Sequence, residues 1–287
     1  MNRWLREISA LDPERDAQRI VFIDASLEFP WDTQRSLELA FYRTYAVPSI
    51  ATLLDTTGEF TARAQKRYDD TQILISAFCE FGFDHDLGRR AIRRMNGIHG
   101  RFAIANDDFL YVLSTMVFEP IRWNARFGWR PLLYGEKLAT FHFWREVGSR
   151  MAIADVPERY EELEQFNVAF ERERFAYSDA GNRVAVATRE MFLDWFPGAP
   201  RALGRSLIHA LLDEPLLDAL GFPYPPARVR RVAEAAVRAR SRVVRALPPR
   251  RRPRLRTLEP HRSYRDGYRI ETVGPPERAV GFHGTAP

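Results

Sequence analysis

Three side chains in this sequence combine the types and spacing needed to do chemistry together: a histidine, an arginine and a threonine. His99 closes the stretch Leu87 to Gly100, which projects as an amphipathic helix. Leu87, Ala91, Ile92, Met95, Ile98 and His99 share one face, while Arg89, Arg90, Arg93, Arg94 and Asn96 lie mostly on the other. The imidazole is therefore expected to point into the core, and Gly97 and Gly100 beside it leave room for a wide, flat group to approach the backbone. A lone imidazole in an apolar helical pocket is the usual way to hold a haem iron, because that group needs only one strong bond from the protein. A core histidine with a hydrogen-bonded ring would show the same pattern. One helix earlier, Arg67 and Thr71 stand four residues apart on the edge of an inward stripe of Ala64, Tyr68, Leu74, Ile75 and Phe78. A guanidinium and a hydroxyl placed there need partners. Either they form an internal salt bridge with a back-bonded threonine, or they donate to dioxygen or a polarised substrate on the open face of a cofactor.

The other histidines are weaker candidates. His85, His261 and His283 lie in polar surroundings and are expected to be solvated, and His209 is placed in a core or at a membrane edge. His142 has Glu146 one turn later, a spacing that can chelate a metal and is also an ordinary helix-face pair. A non-haem metal site using these two, or His99 with nearby acids, is the enzyme alternative. The chain has no Gly-x-Gly pair, no Gly-x-x-x-x-Gly-Lys loop, no Gly-x-Ser-x-Gly elbow and no Glu-x-x-His pair. Dinucleotide fingerprints, phosphate loops, hydrolase elbows and paired di-iron ligands are thereby disfavoured.

The elements that must position these residues read as helix after helix, with apolar residues recurring at three and four and little strict alternation. The spacing predicts helices over 31–54 with a kink at Pro48, 61–81, 86–100, 109–124, 136–151, 157–177, 183–196, 201–220 and 227–247, with Asn106 as an N-cap before Asp107 and Asp108. The class is all-α. The 287 residues can bury one sizeable core, and the 45% apolar fraction contains no apolar run of signal-peptide or membrane-spanning length. One cysteine, Cys79, excludes an internal disulfide and a Cys-rich metal site, and suits a reducing, cytoplasmic setting. The net charge of +5 is uneven: residues 226–287 carry 16 Arg and 5 acids, whereas residues 1–225 sum to −6. Only Lys66 and Lys137 are lysines, so the arginine excess reads as a coding bias more than as a nucleic-acid surface. Three regions follow: a helical body over 1–225, a basic helix over 226–247, and a Pro/Arg-rich tail over 248–287. The tail lacks the apolar density to fold alone and is expected to be disordered, with contact to anionic lipid or nucleic acid as the sharper reading.

Taken together, Arg67-Tyr68-Asp69-Asp70-Thr71, Arg93 to Gly100, Asn106 to Leu113, Gly128-Trp129-Arg130-Pro131-Leu132 and Phe143 to Gly148 resemble, in order and spacing, the motifs of the rubber oxygenase catalytic-domain family. That family includes the latex clearing protein and the oxygenase of mycophenolic acid biosynthesis. The resemblance covers roughly residues 30 to 200 and lies closer to the mycophenolic branch. It implies a globin-like helical fold holding one b-type haem, and dioxygen-dependent cleavage of a carbon–carbon double bond in an isoprenoid chain. By position, His99 matches the axial ligand of the iron, and Arg67 and Thr71 match the distal polar pair. Arg94 and Arg101, with Arg93, are the candidates for pairing with haem propionates. The latex clearing branch has a lysine just before its threonine where this chain has Asp70, and its catalytic glutamate has no clear match, Asp55 and Glu59 being only sequence neighbours. The expected partners are a small apolar, prenyl-like substrate and dioxygen, with peripheral membrane contact through the basic C-terminal region. The non-enzyme alternatives are a haem carrier or sensor and a helical membrane-associated scaffold.

Overall fold

The computed structural model describes residues 2–275, all of them helical or irregular; among these residues there is no strand, only an isolated bridge between His261 and Tyr264. The all-α class read from the sequence is the class observed. Thirteen helices follow one another: α1 (Arg3–Ala10), α2 (Ala17–Ile23), α3 (Pro30–Tyr45), α4 (Pro48–Thr56), α5 (Glu59–Phe81), α6 (Asp86–His99), α7 (Asn106–Phe127), α8 (Tyr134–Arg150), α9 (Tyr160–Arg174), α10 (Asp179–Asp194), α11 (Arg201–Leu211), α12 (Glu214–Leu220) and α13 (Ala227–Ala246). A π-helical turn, Asp24–Glu28, continues α2.

Helix α7 is central because it is apolar on nearly every side. Leu110, Leu113, Val117 and Phe118 are buried against α3, α8 and α9. The hydroxyls of Ser114 and Thr115 are satisfied locally, each donating to a carbonyl three residues back at 2.7 Å. Asn106 is the first residue of this helix and not its cap; its side chain instead exchanges two hydrogen bonds with the backbone of Ala154, at 2.8 and 3.0 Å. Asp107 and Asp108 occupy the first turn as expected.

Two predicted helices are each divided in the structure. Pro48 begins α4 instead of kinking one long helix, since its missing N–H costs nothing at a first turn. The stretch 201–220 breaks at Leu212, where Asp213 caps α12 by accepting from the Leu216 N–H at 3.1 Å. Leu212, Leu216, Leu217 and Leu220 are buried in the body, whereas Leu203 and Leu207 on α11 remain exposed.

The corner between α5 and α6 sets the geometry of the site. Gly82 turns the chain at φ +90°, a left-handed conformation that favours glycine, and a Cβ at Gly88 would lie 2.0 Å from the Gly82 carbonyl oxygen. That close approach lets α6 fold back along α5.

The expectation of a disordered tail from residue 248 does not hold over the described residues 248–275; residues 276–287, and His283 among them, lie outside the description. The segment runs back along α5 and α6 through two 3₁₀ turns, Arg256–Leu258 and Ile270–Thr272. Arg254 N–H donates to the Ser26 carbonyl at 2.8 Å, Glu80 accepts from the N–H groups of Arg256 and Thr257, and Asp69 accepts from the Ser263 N–H at 2.8 Å. Ile270 and Val273 are buried beneath it. The segment builds no core of its own and does not need one, because α5 and α6 supply its partners. His261, expected to be solvated, is buried here with Nε2 at 3.1 Å from the Arg256 carbonyl.

Candidate functional site

Helix α6 delivers His99 as its last residue, and α5 lays Arg67 and Thr71 alongside. The backbone of α5 departs from helical geometry at Arg63, so the turn carrying Arg67 and Thr71 begins just after a kink. The Nδ1 atom of His99 is buried and has no hydrogen-bond partner among the described residues, and the ring packs edge-on against Phe109 with 5.4 Å between centroids. A histidine in the last turn of a helix is ordinarily helped into its charged form by the helix dipole. Here burial, and then the nearby Arg67 guanidinium, push the imidazole down to about 4. It is therefore neutral at physiological pH, which is the form that binds metals.

Arg67 and Thr71 meet as the spacing predicts. The guanidinium donates to the Thr71 hydroxyl, which itself donates to the Arg67 carbonyl at 3.1 Å, and the guanidinium lies 5.3 Å from the centre of the Phe60 ring. Among the described residues no carboxylate lies within 4.0 Å of Arg67. The back-bonded threonine is present and the internal salt bridge is not. A half-buried cation without a counter-ion and an unpartnered neutral imidazole thus share one site.

The remaining candidates separate from it. Arg94 donates through Nε to the Val273 carbonyl at 2.7 Å, holding the C-terminal segment, while Arg93 and Arg101 are exposed. Gly97 and Gly100 are exposed as well, and a Cβ at Gly97 would enter open space, so packing within the chain does not require glycine there. Asp70 is turned away from the site into a buried knot: Lys66 Nζ contacts both its oxygens at 3.0 and 2.9 Å and also reaches the Tyr264 hydroxyl at 3.0 Å and the Gly274 carbonyl at 2.7 Å, while the Tyr264 hydroxyl donates to Asp70. Asp70 therefore anchors the C-terminal segment. Asp55 is paired with Arg183 at 2.7 Å, and Glu59 with Arg63. His142 faces Glu14 at 4.0 Å and Glu146 pairs with Arg150 at 3.0 Å, and no cluster of three metal-ligating side chains occurs among the described residues. His209 is a core residue, stacked on Phe222 at 4.5 Å.

Sequence reasoning missed Glu38. Thr71 lines a partly open cleft between α3 and α5, and Glu38 lies in the same lining. Burial pushes its carboxyl above the ordinary value against the pull of Arg35, 2.5 Å away, and the Tyr68 hydroxyl donates to it at 2.7 Å. No signal within α3 singles it out: Glu38 lies two residues from both Ser36 and Ala40, so it does not share a helix face with them although all three are buried.

Comparison with known proteins gives this geometry its context. Residues 37–246 match the family described as ER-bound oxygenase mpaB/B'/Rubber oxygenase, catalytic domain. The chain belongs to this family. It is 32% identical over 155 residues to the ER-bound oxygenase mpaB of Penicillium roqueforti, covering 52% of each chain. It is 26% identical over 243 residues to the ER-bound oxygenase mpaB' of Penicillium brevicompactum, covering 78% of this chain and 57% of the relative. The chain thus spans about half the length of these two curated relatives. The matched region holds Glu38, Arg67, Thr71 and His99 and ends before the C-terminal segment that packs on α5 and α6. Among the described residues no helix is long and apolar enough to cross a membrane.

Proposed function

We propose that this chain is a b-type haem-dependent oxygenase that uses dioxygen to cleave a carbon–carbon double bond in an apolar, prenyl-like substrate. The observation that carries the reading is the buried, unpartnered Nδ1 of a neutral His99 beside an arginine that has no acidic partner. A buried imidazole nitrogen left without a hydrogen bond costs about 1–3 kcal/mol, a cost that ligand binding can offset. The residues therefore fit the group: His99 would hold the iron, and the haem would supply the capacity to activate dioxygen that no side chain has. Arg67 and Thr71 would orient dioxygen and the substrate double bond by hydrogen bonding. Glu38, kept protonated more readily than an exposed carboxylate, would hold a proton at the edge of the site. Arg94 and Arg101 stay as the proposed propionate partners, Arg94 through the nitrogens that do not bond Val273.

The test is the visible spectrum of protein produced with ample haem supply, together with a pyridine haemochrome assay. A Soret band at near one haem per chain is expected for the wild type and no stable haem for His99→Ala. Full haem content and an unchanged spectrum in His99→Ala would refute the ligand assignment. The haem-loaded protein should consume oxygen and release carbonyl products from prenylated compounds.

Peripheral membrane contact is proposed through α13, whose exposed side carries Arg228, Arg231, Arg242 and Arg245 around Val232 and Val243. Its one acid, Glu234, is turned inward onto Arg126 at 2.5 Å.

A further inference from the structure

Two helical stripes face each other across the cleft that Thr71 lines. On α5 they are Thr71, Ile75 and Cys79, each one turn beyond the last; on α3, Leu37 and Phe41 oppose them. The eight helical steps from Thr71 to Cys79 make this trough about 12 Å long. Ile75, Cys79, Leu37 and Phe41 are only half-buried, although each has apolar neighbours in the core, because each turns one side to the open trough. At the end away from Thr71 the trough is closed by Arg256, whose guanidinium donates to the Pro30 carbonyl at 3.1 Å and pairs with Glu259 at 2.6 Å. That wall comes from the C-terminal segment, which lies beyond the residues matched to the family.

We infer that this trough binds the apolar chain of the substrate, with one end of the chain at Thr71 and the length of it lying along Ile75 toward Cys79 and Arg256. The inference rests on the proposed oxygenase reading for what happens at Thr71, but the binding itself requires no cofactor. An apolar chain laid in the trough removes the exposed sides of Leu37, Phe41, Ile75 and Cys79 from water, which is the driving force for its entry. The charged wall at Arg256 offers nothing to a hydrocarbon and so limits how far the chain can run. Without the segment 254–275 the trough would open at that end.

Cys79 is the only cysteine in the chain and serves as a reporter of occupancy. The full-length protein is treated with N-ethylmaleimide at fixed pH, and the adduct at Cys79 is followed by mass spectrometry with and without farnesol. At farnesol ten times its Kd, determined in the same titration, the rate should fall about tenfold, since about one site in eleven stays free. Ile75→Trp fills the middle of the trough and should abolish the farnesol effect, and Leu37→Ala, which widens it, should preserve the effect. A wild-type rate that farnesol leaves unchanged overturns the inference, whatever the variants do, as does full protection in a folded Ile75→Trp. Running the same assay on His99→Ala separates the two claims. Protection that survives there supports the trough even if no haem is ever found, while a haem-loaded wild type without protection sinks the trough alone.

Discussion

The knot that ties the C-terminal segment to the site helices can be tested by removing one oxygen. In Tyr264→Phe, Asp70 loses the hydroxyl that donates to it but keeps both Lys66 contacts at 3.0 and 2.9 Å, and Lys66 keeps the Gly274 carbonyl at 2.7 Å. The ring stays in place against Tyr268, with 5.8 Å between centroids. Two hydrogen bonds are lost, the one that Asp70 accepts and the one that Lys66 donates at 3.0 Å; Lys66 keeps its contacts with Asp70 and Gly274, so the net cost is dominated by the bond to the charged acceptor, about 2 kcal/mol. If 254–275 opens as a unit, that free energy appears as an increase of about 30-fold in the exchange rate of its protected amides. The amides to follow are Arg254, Arg256, Thr257 and Ser263, which donate to Ser26, Glu80, Glu80 and Asp69. Tyr268→Phe is the internal control, because its hydroxyl donates to a neutral carbonyl, that of Thr257 at 2.9 Å, and its loss should cost about 1 kcal/mol, or about fivefold in exchange. Hydrogen exchange read by mass spectrometry distinguishes the two. Unchanged exchange at Arg254 and Arg256 in Tyr264→Phe would refute the claim that the segment is held to α5 as one body through Asp70.

Further outcomes follow from the same structure. Arg43 pairs with Glu119, Glu171 and Asp213 at 2.6, 2.9 and 2.5 Å, so Arg43→Met should destabilise the protein by about 3–5 kcal/mol in urea denaturation, because it strands buried carboxylates; a loss below about 1 kcal/mol would contradict that account. Asp24 is buried with neither oxygen hydrogen-bonded, and burial followed by the neighbouring Glu136 raises its carboxyl well above the usual range. The folded state therefore holds this proton more tightly than the unfolded chain, and the resulting stabilisation is complete below about pH 4 and declines as pH rises through the folded value. Asp24→Asn should gain stability relative to wild type between pH 4 and 7, and parallel denaturation midpoints across that range would exclude it. Thr71→Ala should leave haem content intact while changing turnover of a prenylated substrate; equal kcat in the two proteins would remove the threonine from the reaction. On the exposed side of α13, reversing Arg231 and Arg242 to Glu should weaken sedimentation with vesicles containing anionic lipid, and the wild-type binding should fall with salt; binding to neutral vesicles at the same strength would rule out the charge mechanism.

The sequence by itself determined the helical class, most helix boundaries within a few residues, and the pairing of Arg67 with Thr71. The reason is that each of these depends on local periodicity: Arg67 and Thr71 are one turn apart, and His99 ends an amphipathic helix whose inward face is plain in its residues. Order and spacing of the motifs likewise placed the family. What the sequence left open depends on contacts between distant residues. Glu38 became a site candidate only when α3 was laid against α5, for nothing within α3 marks one acid as inward and functional. Asp70 stood out in the sequence only as a departure from the lysine of the latex clearing branch; its role as an anchor appears with Tyr264, 194 residues away, which bonds it. The order of residues 248–275 was not legible because low apolar density measures whether a segment can fold alone, whereas Glu80, Asp69, Lys66 and Arg94 supply from α5 and α6 the partners that its backbone lacks. Tertiary structure decided those points because each is a choice of partner, and a polar side chain does not carry the identity of its partner in its own neighbourhood of sequence.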